Sequence, residues 1–196
     1  MKRIVLTGGP AAGKSVVCEA IAAADPARVV LVREAATQVY NALGSRWDRM
    51  DIHGRRDAQR RIYALQIEQE ARAGRAAREG QIVLLDRGTI DGATYWPDGA
   101  EAYWADLGTN LAAEVSRYDA VIWLETAAVL GVYDGDQSNP VRFEAPDAAI
   151  ESGRRLLSLW GEHPNLRKID AYPRISDKIA AVQTLLAEMA DSLHHK

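Results

Sequence analysis

The feature that most limits what this chain can become lies near its amino terminus. Gly8-Gly9-Pro10-Ala11-Ala12-Gly13-Lys14-Ser15 follows the pattern G-x-x-x-x-G-K-[S/T] without a gap. An apolar run over residues 3–7 precedes it, and an alanine-rich stretch over residues 14–24 follows. A strand that breaks into glycines and resumes as a helix builds a phosphate cradle. Glycine lets the backbone wrap closely around phosphate oxygens, because no Cβ intervenes. Backbone N–H groups then point inward, and the helix N-terminus adds partial positive charge. In such a loop Lys14 reaches the β- and γ-phosphates and the Ser15 hydroxyl ligates Mg²⁺. Gly8, Gly9, Pro10, Ala11, Ala12, Gly13, Lys14, Ser15 and Val16 are therefore the expected nucleotide-binding set. A glycine turn with an accidental lysine would not bring both the strand and the helix with it.

The rest of the chain alternates apolar runs with helical patterns, as a parallel α/β domain does. Strands are predicted at residues 3–7, 28–32, 81–85, 120–124 and 166–169. Helices are predicted over 14–24, 34–43 and 57–78, with one or two more within 100–118. Ile175, Ile179, Val182, Leu186 and Met189 recur at helical spacing, so a last helix lays one face on the sheet. Residues 44–56 and 131–145 lack periodicity and read as long loops, which in compact domains are usually functional or mobile. The length of 196 residues fits one domain over 1–196.

Composition narrows the function classes. The net charge of -3 argues against a general nucleic-acid-binding face, so any anion site must be local. Cys18 is the sole cysteine, which excludes an intramolecular disulfide and fits a reducing, cytoplasmic setting. Residues 4–6 are too short an apolar run for a signal peptide, and no stretch approaches a membrane-spanning length.

A phosphate loop needs a carboxylate on the Mg²⁺ side, at the end of a neighbouring strand. Ile82-Val83-Leu84-Leu85-Asp86 has that form, so Asp86 is expected beside the metal, with capping of a turn as the plainer role. Arg87 follows at the edge where α/β sheets bind ligands. It can hold a phosphate or substrate oxygen bidentately, or form a surface salt bridge. Asp91 either joins this site or caps the next helix. Glu34, after the second strand, can accept a substrate proton, or else cap a helix or pair with an arginine. Arg142 lies in the irregular loop and is expected to close over the phosphates. Arg154 and Arg155, on the following helix, fit a solvated face better.

Tyr95, Trp96, Tyr103 and Trp104 follow the Asp86-Arg87 pair closely. Such aromatics stack on planar ligands, but more often fill a core. His163 before Pro164 reads as a turn residue, and Cys18 as a small buried group. The arginines between Arg46 and Arg61 alternate with acids and read as a solvated face, with an anionic partner as the alternative.

Taken in order, Leu6 through Ser15, Arg33-Glu34-Ala35-Ala36, Asp86-Arg87-Gly88 with Asp91, and Asn139 through Glu144 followed by Trp160, His163 and Pro164 resemble the AAA-type P-loop ATPase family. Within it they are most similar to the branch of the NadR ribosylnicotinamide kinase domain. The resemblance spans nearly the whole chain. It implies a three-layer P-loop fold: a five-stranded parallel sheet in the order 2-3-1-4-5, helices on both faces, and a lid. It implies ATP or GTP with Mg²⁺ at residues 8–15; no Asn-Lys-x-Asp motif is present, so ATP is the default. In related deoxynucleoside kinases a glutamate after the second strand serves as base, and an acid–arginine pair follows the third. Glu34, Asp86 and Arg87 match those positions, while Gly88 stands where those kinases usually carry serine.

Two functions fit these expectations. One is a kinase that moves the γ-phosphate of ATP to a hydroxyl of a small molecule, through Lys14, Glu34, Asp86, Arg87 and Arg142. The other is a nucleotide-dependent switch that binds a protein or lipid partner. A mechanical ring ATPase fits poorly, because the chain is too short to add the helical domain of such rings.

Overall fold

The structure, a computed structural model, describes residues 1–131 and 145–193, with side chains to residue 189. Residues 132–144, which include Arg142 and the Asn139–Glu144 motif, lie outside the described residues.

Five strands form one parallel sheet among the described residues: β1 (Lys2–Gly8), β2 (Val29–Val32), β3 (Ile82–Asp86), β4 (Ala120–Leu124) and β5 (Leu166–Ile169). Their order is β2-β3-β1-β4-β5, the order that the family resemblance implies. In β1 and β3, Leu6 lies opposite Asp86. Chain order around the sheet adds α1 (Lys14–Ala24), α2 (Ala35–Leu43), α3 (Ile52–Ala76), α4 (Asp91–Thr94), α5 (Ala100–Leu107), α6 (Leu111–Val115), α7 (Pro146–Trp160) and α8 (Ile175–Leu193).

Burial on both faces explains why the strands read as continuous apolar runs. Side chains alternate across a strand. Ile4 and Leu6 enter one core with Val17 and Ile21 of α1 and Val182, Leu186 and Met189 of α8. Val5 enters the other, with Val83, Leu85, Tyr103, Trp104 and Trp160. The sheet is therefore clamped between α1 and α8 on one side and mainly aromatic packing on the other.

The loop expected over 44–56 is shorter than predicted. A 3-10 turn occupies Trp47–Arg49, and α3 starts at Ile52 because the Asp51 side chain accepts the Gly54 N–H at 2.7 Å. This cap satisfies a first-turn donor and lets the helix begin before its apolar periodicity does. The stretch 100–118 divides into α5 and α6, with Asn110 capping the second through the Ala113 N–H. The limits of the five strands, of α1 and α2 and the end of α3 fall within two residues of those predicted, while the last helix runs on past Met189 to Leu193.

Candidate functional site

The phosphate loop joins β1 to α1. Gly8, Ala11 and Gly13 have φ of 144°, 56° and 82°. Left-handed residues alternating with right-handed ones turn successive N–H groups into one concavity, an anion nest. For Ala11 that conformation costs roughly 1–2 kcal/mol. Together with Arg87, at φ 78°, it is one of two non-glycine positions with positive φ among the described residues. Both stand at the site, where local strain tends to collect. At position 13 it is the backbone, at φ 82°, that favours glycine; the nearest atom to an added Cβ is Ile175 Cδ1, the tip of an exposed side chain that can move. A Cβ on Gly9 would strike the Ala149 carbonyl of α7. Helix α1 has no side-chain cap at Gly13, so its first N–H groups are available to a ligand. Lys14 is buried and folds back over the loop, with Nζ donating to the Gly8 and Gly9 carbonyls at 2.9 and 2.8 Å. Ser15 and Val16 are exposed on the first turn of α1.

Asp86 ends β3 beside this loop. Burial, with the Glu34 carboxylate nearby, pushes its carboxyl above the usual range; a hydrogen bond from Ser15 and the charges of Lys14 and Arg87 pull it back. Its buried Oδ1 has no hydrogen-bond partner among the described residues. An unsatisfied carboxylate oxygen within reach of an exposed serine hydroxyl is a donor set of the hard-oxygen kind that suits Mg²⁺. No group of three or more His, Cys, Asp or Glu residues suited to a metal occurs among the described residues. A cation here would therefore need ligand oxygens from elsewhere, as phosphates supply.

Across from the loop, three segments bring together a buried ionic cluster. Arg87 donates from Nε to Glu34 Oε1 at 2.5 Å and from Nη1 to Asp91 Oδ2 at 2.9 Å. Burial opposes the Arg87 charge, but Tyr95, Glu34, Asp91 and Asp86 more than compensate and hold its pKa well up. Glu34 stands before α2 without capping it; its Oε2 accepts the Thr37 hydroxyl at 2.6 Å. Asp91 joins the site rather than only opening α4. It accepts Thr7 Oγ1 at 2.9 Å, and Trp160 Nε1 at 2.7 Å from the end of α7. Trp160 also explains the glycine after Arg87: a Cβ on Gly88 would lie 2.9 Å from two atoms of its indole.

A pocket opens beside this cluster and meets the phosphate loop at Pro10. Pro10, Glu34, Arg87 and Asp91 line it, together with the aromatic rings of Tyr40, Trp47, Tyr63 and Tyr95. The Gln59 and Gln66 side chains are buried along it. The four aromatics singled out in the sequence thus divide. Trp96 and Trp104 are core residues, Tyr95 lines the pocket, and Tyr103 belongs to both. Trp47 has no strong local signal; Arg55, eight residues later, stacks on its ring at 4.1 Å.

Other residues take plainer places. His163 is buried in the turn after α7, its Nδ1 accepting the Asn165 N–H. Cys18 is buried in the α1 core, and burial raises its thiol pKa. Arg154 and Arg155 are exposed. The basic segment is threaded with ion pairs: Arg46 with Asp48, Arg56 with Asp98, Arg60 with Asp106 and Arg61 with Asp57. No helix is long and apolar enough to cross a membrane among the described residues.

The architecture is that of known P-loop proteins. A solved structure described as the crystal structure of NadR protein in complex with NAD and AMP-PNP superposes with a TM-score of 0.62 at 17% identity. The superposition covers 93% of this chain and 49% of that one, so the chain spans about half the length of this neighbour. At such identity the likeness is one of fold. No curated protein matches the sequence. The family model described as AAA domain matches residues 3–175, which include the phosphate loop, Glu34, the Asp86–Asp91 segment and Trp160. By that match, the chain belongs to the AAA domain family as a P-loop nucleotide-binding protein.

Proposed function

We propose that this protein is a kinase that transfers the γ-phosphate of ATP to a hydroxyl of a small molecule. The observation that carries the reading is the pocket. Pro10 of the phosphate loop and the Glu34–Arg87–Asp91 cluster line the same cavity. A nucleotide switch needs no second pocket beside its phosphate loop.

In this reading the nest at residues 8–15 binds the phosphates of ATP, with GTP as the alternative. Lys14 exchanges the Gly8 and Gly9 carbonyls for phosphate oxygens. Ser15 and Asp86 would hold Mg²⁺, which neutralises charge on the transferring group when bound. Glu34 is fixed by Arg87 on one oxygen and Thr37 on the other. It is thus oriented to accept a hydrogen bond from the acceptor hydroxyl and aim its oxygen at the γ-phosphorus. Phosphoryl transfer depends mostly on positioning and charge stabilisation, so an oriented carboxylate contributes even as a weak base. Arg87 is committed to two carboxylates, which makes it a holder of Glu34 more than a free substrate ligand. The ion pairs within the basic segment leave less reason for an anionic partner there, and so less for the switch.

The test is transfer from γ-labelled ATP with Mg²⁺ to a panel of nucleosides and hydroxylated metabolites. Wild type is run beside Lys14→Ala and Glu34→Gln. Product formed by wild type and lost in both variants supports the kinase. Retained transfer in Lys14→Ala overturns the mechanism, and tight ATP binding with no acceptor across the panel favours the switch.

A further inference from the structure

Two buried side chains outside the phosphate-loop motif grip that loop from behind. Lys178 of α8 is 2% exposed, and its Nζ donates to the Ala12 carbonyl at 3.0 Å and the Glu125 carbonyl at 2.8 Å. Thr126, two residues past the end of β4 and fully buried, donates its Oγ1 hydroxyl to the Pro10 carbonyl at 2.8 Å. Both side chains therefore hold loop carbonyls, two residues apart.

A trans peptide sends its C=O and the following N–H in opposite directions. Holding the Pro10 and Ala12 carbonyls on the protein side turns the N–H groups of Ala11 and Gly13 the other way. Those are the two loop residues with left-handed φ, 56° and 82°, the conformation that makes a nest. An ammonium on the Ala12 carbonyl also polarises the peptide and strengthens Gly13 N–H as a donor.

We propose that Lys178 and Thr126 are positioning residues of the nucleotide site, presetting two peptide planes of the phosphate cradle before a nucleotide arrives. The cost of the arrangement supports a role beyond packing. Burying an ammonium against carbonyls is expensive. Desolvation lowers the Lys178 pKa to about 8, with Glu125 acting in the opposite sense. An apolar side chain of similar length would join α8 to the sheet without that cost. The inference rests on the loop as a phosphate cradle and not on any acceptor.

The test measures binding of ATP and of inorganic tripolyphosphate, each with Mg²⁺, by calorimetry well below the melting points. Wild type is compared with Lys178→Met and Thr126→Val, and thermal unfolding is followed without ligand. Lys178→Met is expected to lose about tenfold or more in affinity for both probes, with an unchanged or higher Tm. Thr126→Val is expected to lose roughly three- to tenfold. A folded Lys178→Met that binds both probes within about twofold of wild type overturns the proposal, whatever its Tm. If Lys178→Met does not fold, Thr126→Val decides, and unchanged affinity there overturns it. Binding needs no acceptor, so a chain that binds ATP but transfers nothing sinks the kinase reading alone. A wild type that binds neither probe overturns both.

Discussion

The phosphate loop draws its groups from eight consecutive residues, 8–15. The facing cluster collects Glu34, the Arg87 and Asp91 pair, and Trp160 from three separate segments. One side presents backbone N–H groups turned into a concavity by positive φ at Ala11 and Gly13. The other works through side chains whose charges cancel only when distant elements dock. The loop should therefore fail in function when a single side chain is removed, and the cluster should fail in stability.

Four changes press on that contrast. Arg87→Met leaves two buried carboxylates without their cation, and should cost about 3–5 kcal/mol of stability. Urea unfolding measures it, and a loss under ~1 kcal/mol would mean the cluster is solvated, against its burial. Lys14→Ala should instead lower transfer by about 10²–10³-fold with little change in unfolding midpoint, as expected for loss of one charge-stabilising donor. Glu34→Gln belongs between them: transfer down about 100-fold, ATP affinity kept. Calorimetry beside the transfer assay would expose a joint loss of both, which would place Glu34 on the nucleotide side.

A smaller effect is expected where the cluster meets α7. Gly88→Ser inserts atoms against the Trp160 indole and should cost about 1–3 kcal/mol. Pairing it with Trp160→Phe should recover part of that cost, and strict additivity in the double mutant would show that the two positions do not touch. The smallest effect is a pH slope. The Lys178 pKa is lowered from 10.5 to about 8 in the folded chain. Between those values the unfolded chain binds more protons, so this group makes stability rise as pH goes from about 8 toward 10.5. Below about pH 8 the folded chain bears the full cost of the buried charge. Urea midpoints of wild type and Lys178→Met across that window should converge as pH rises; parallel curves would show that Lys178 is not desolvated.

The strands were legible because a sheet covered on both faces demands continuous apolar runs, as residues 82–85 and 120–124 display. The start of α3 was not, because its first turns carry Gly54 and charged residues, and its onset depends on the Asp51 cap. Asp91 stood open between two roles in the sequence. Its partner Trp160 lies 69 positions away, and no periodicity signals such a pairing. The same holds for Lys178, 166 positions from Ala12. The expected part of Arg142 falls in residues outside the description.

By itself, the sequence determined the phosphate loop, the alternation of strands and helices around it and the acids and arginine that end two of the strands. Each of these rests on neighbours a few residues apart: φ freedom at glycine, the continuous apolar run of a strand, the turn that ends it. Only the tertiary structure decided that Arg87 is shared between Glu34 and Asp91, that Gly88 makes room for Trp160, and that Lys178 and Thr126 stand behind the loop. Those arrangements depend on where α7 and α8 dock. Docking is set by burial summed over both faces of the sheet, a property of the whole chain that no short window contains.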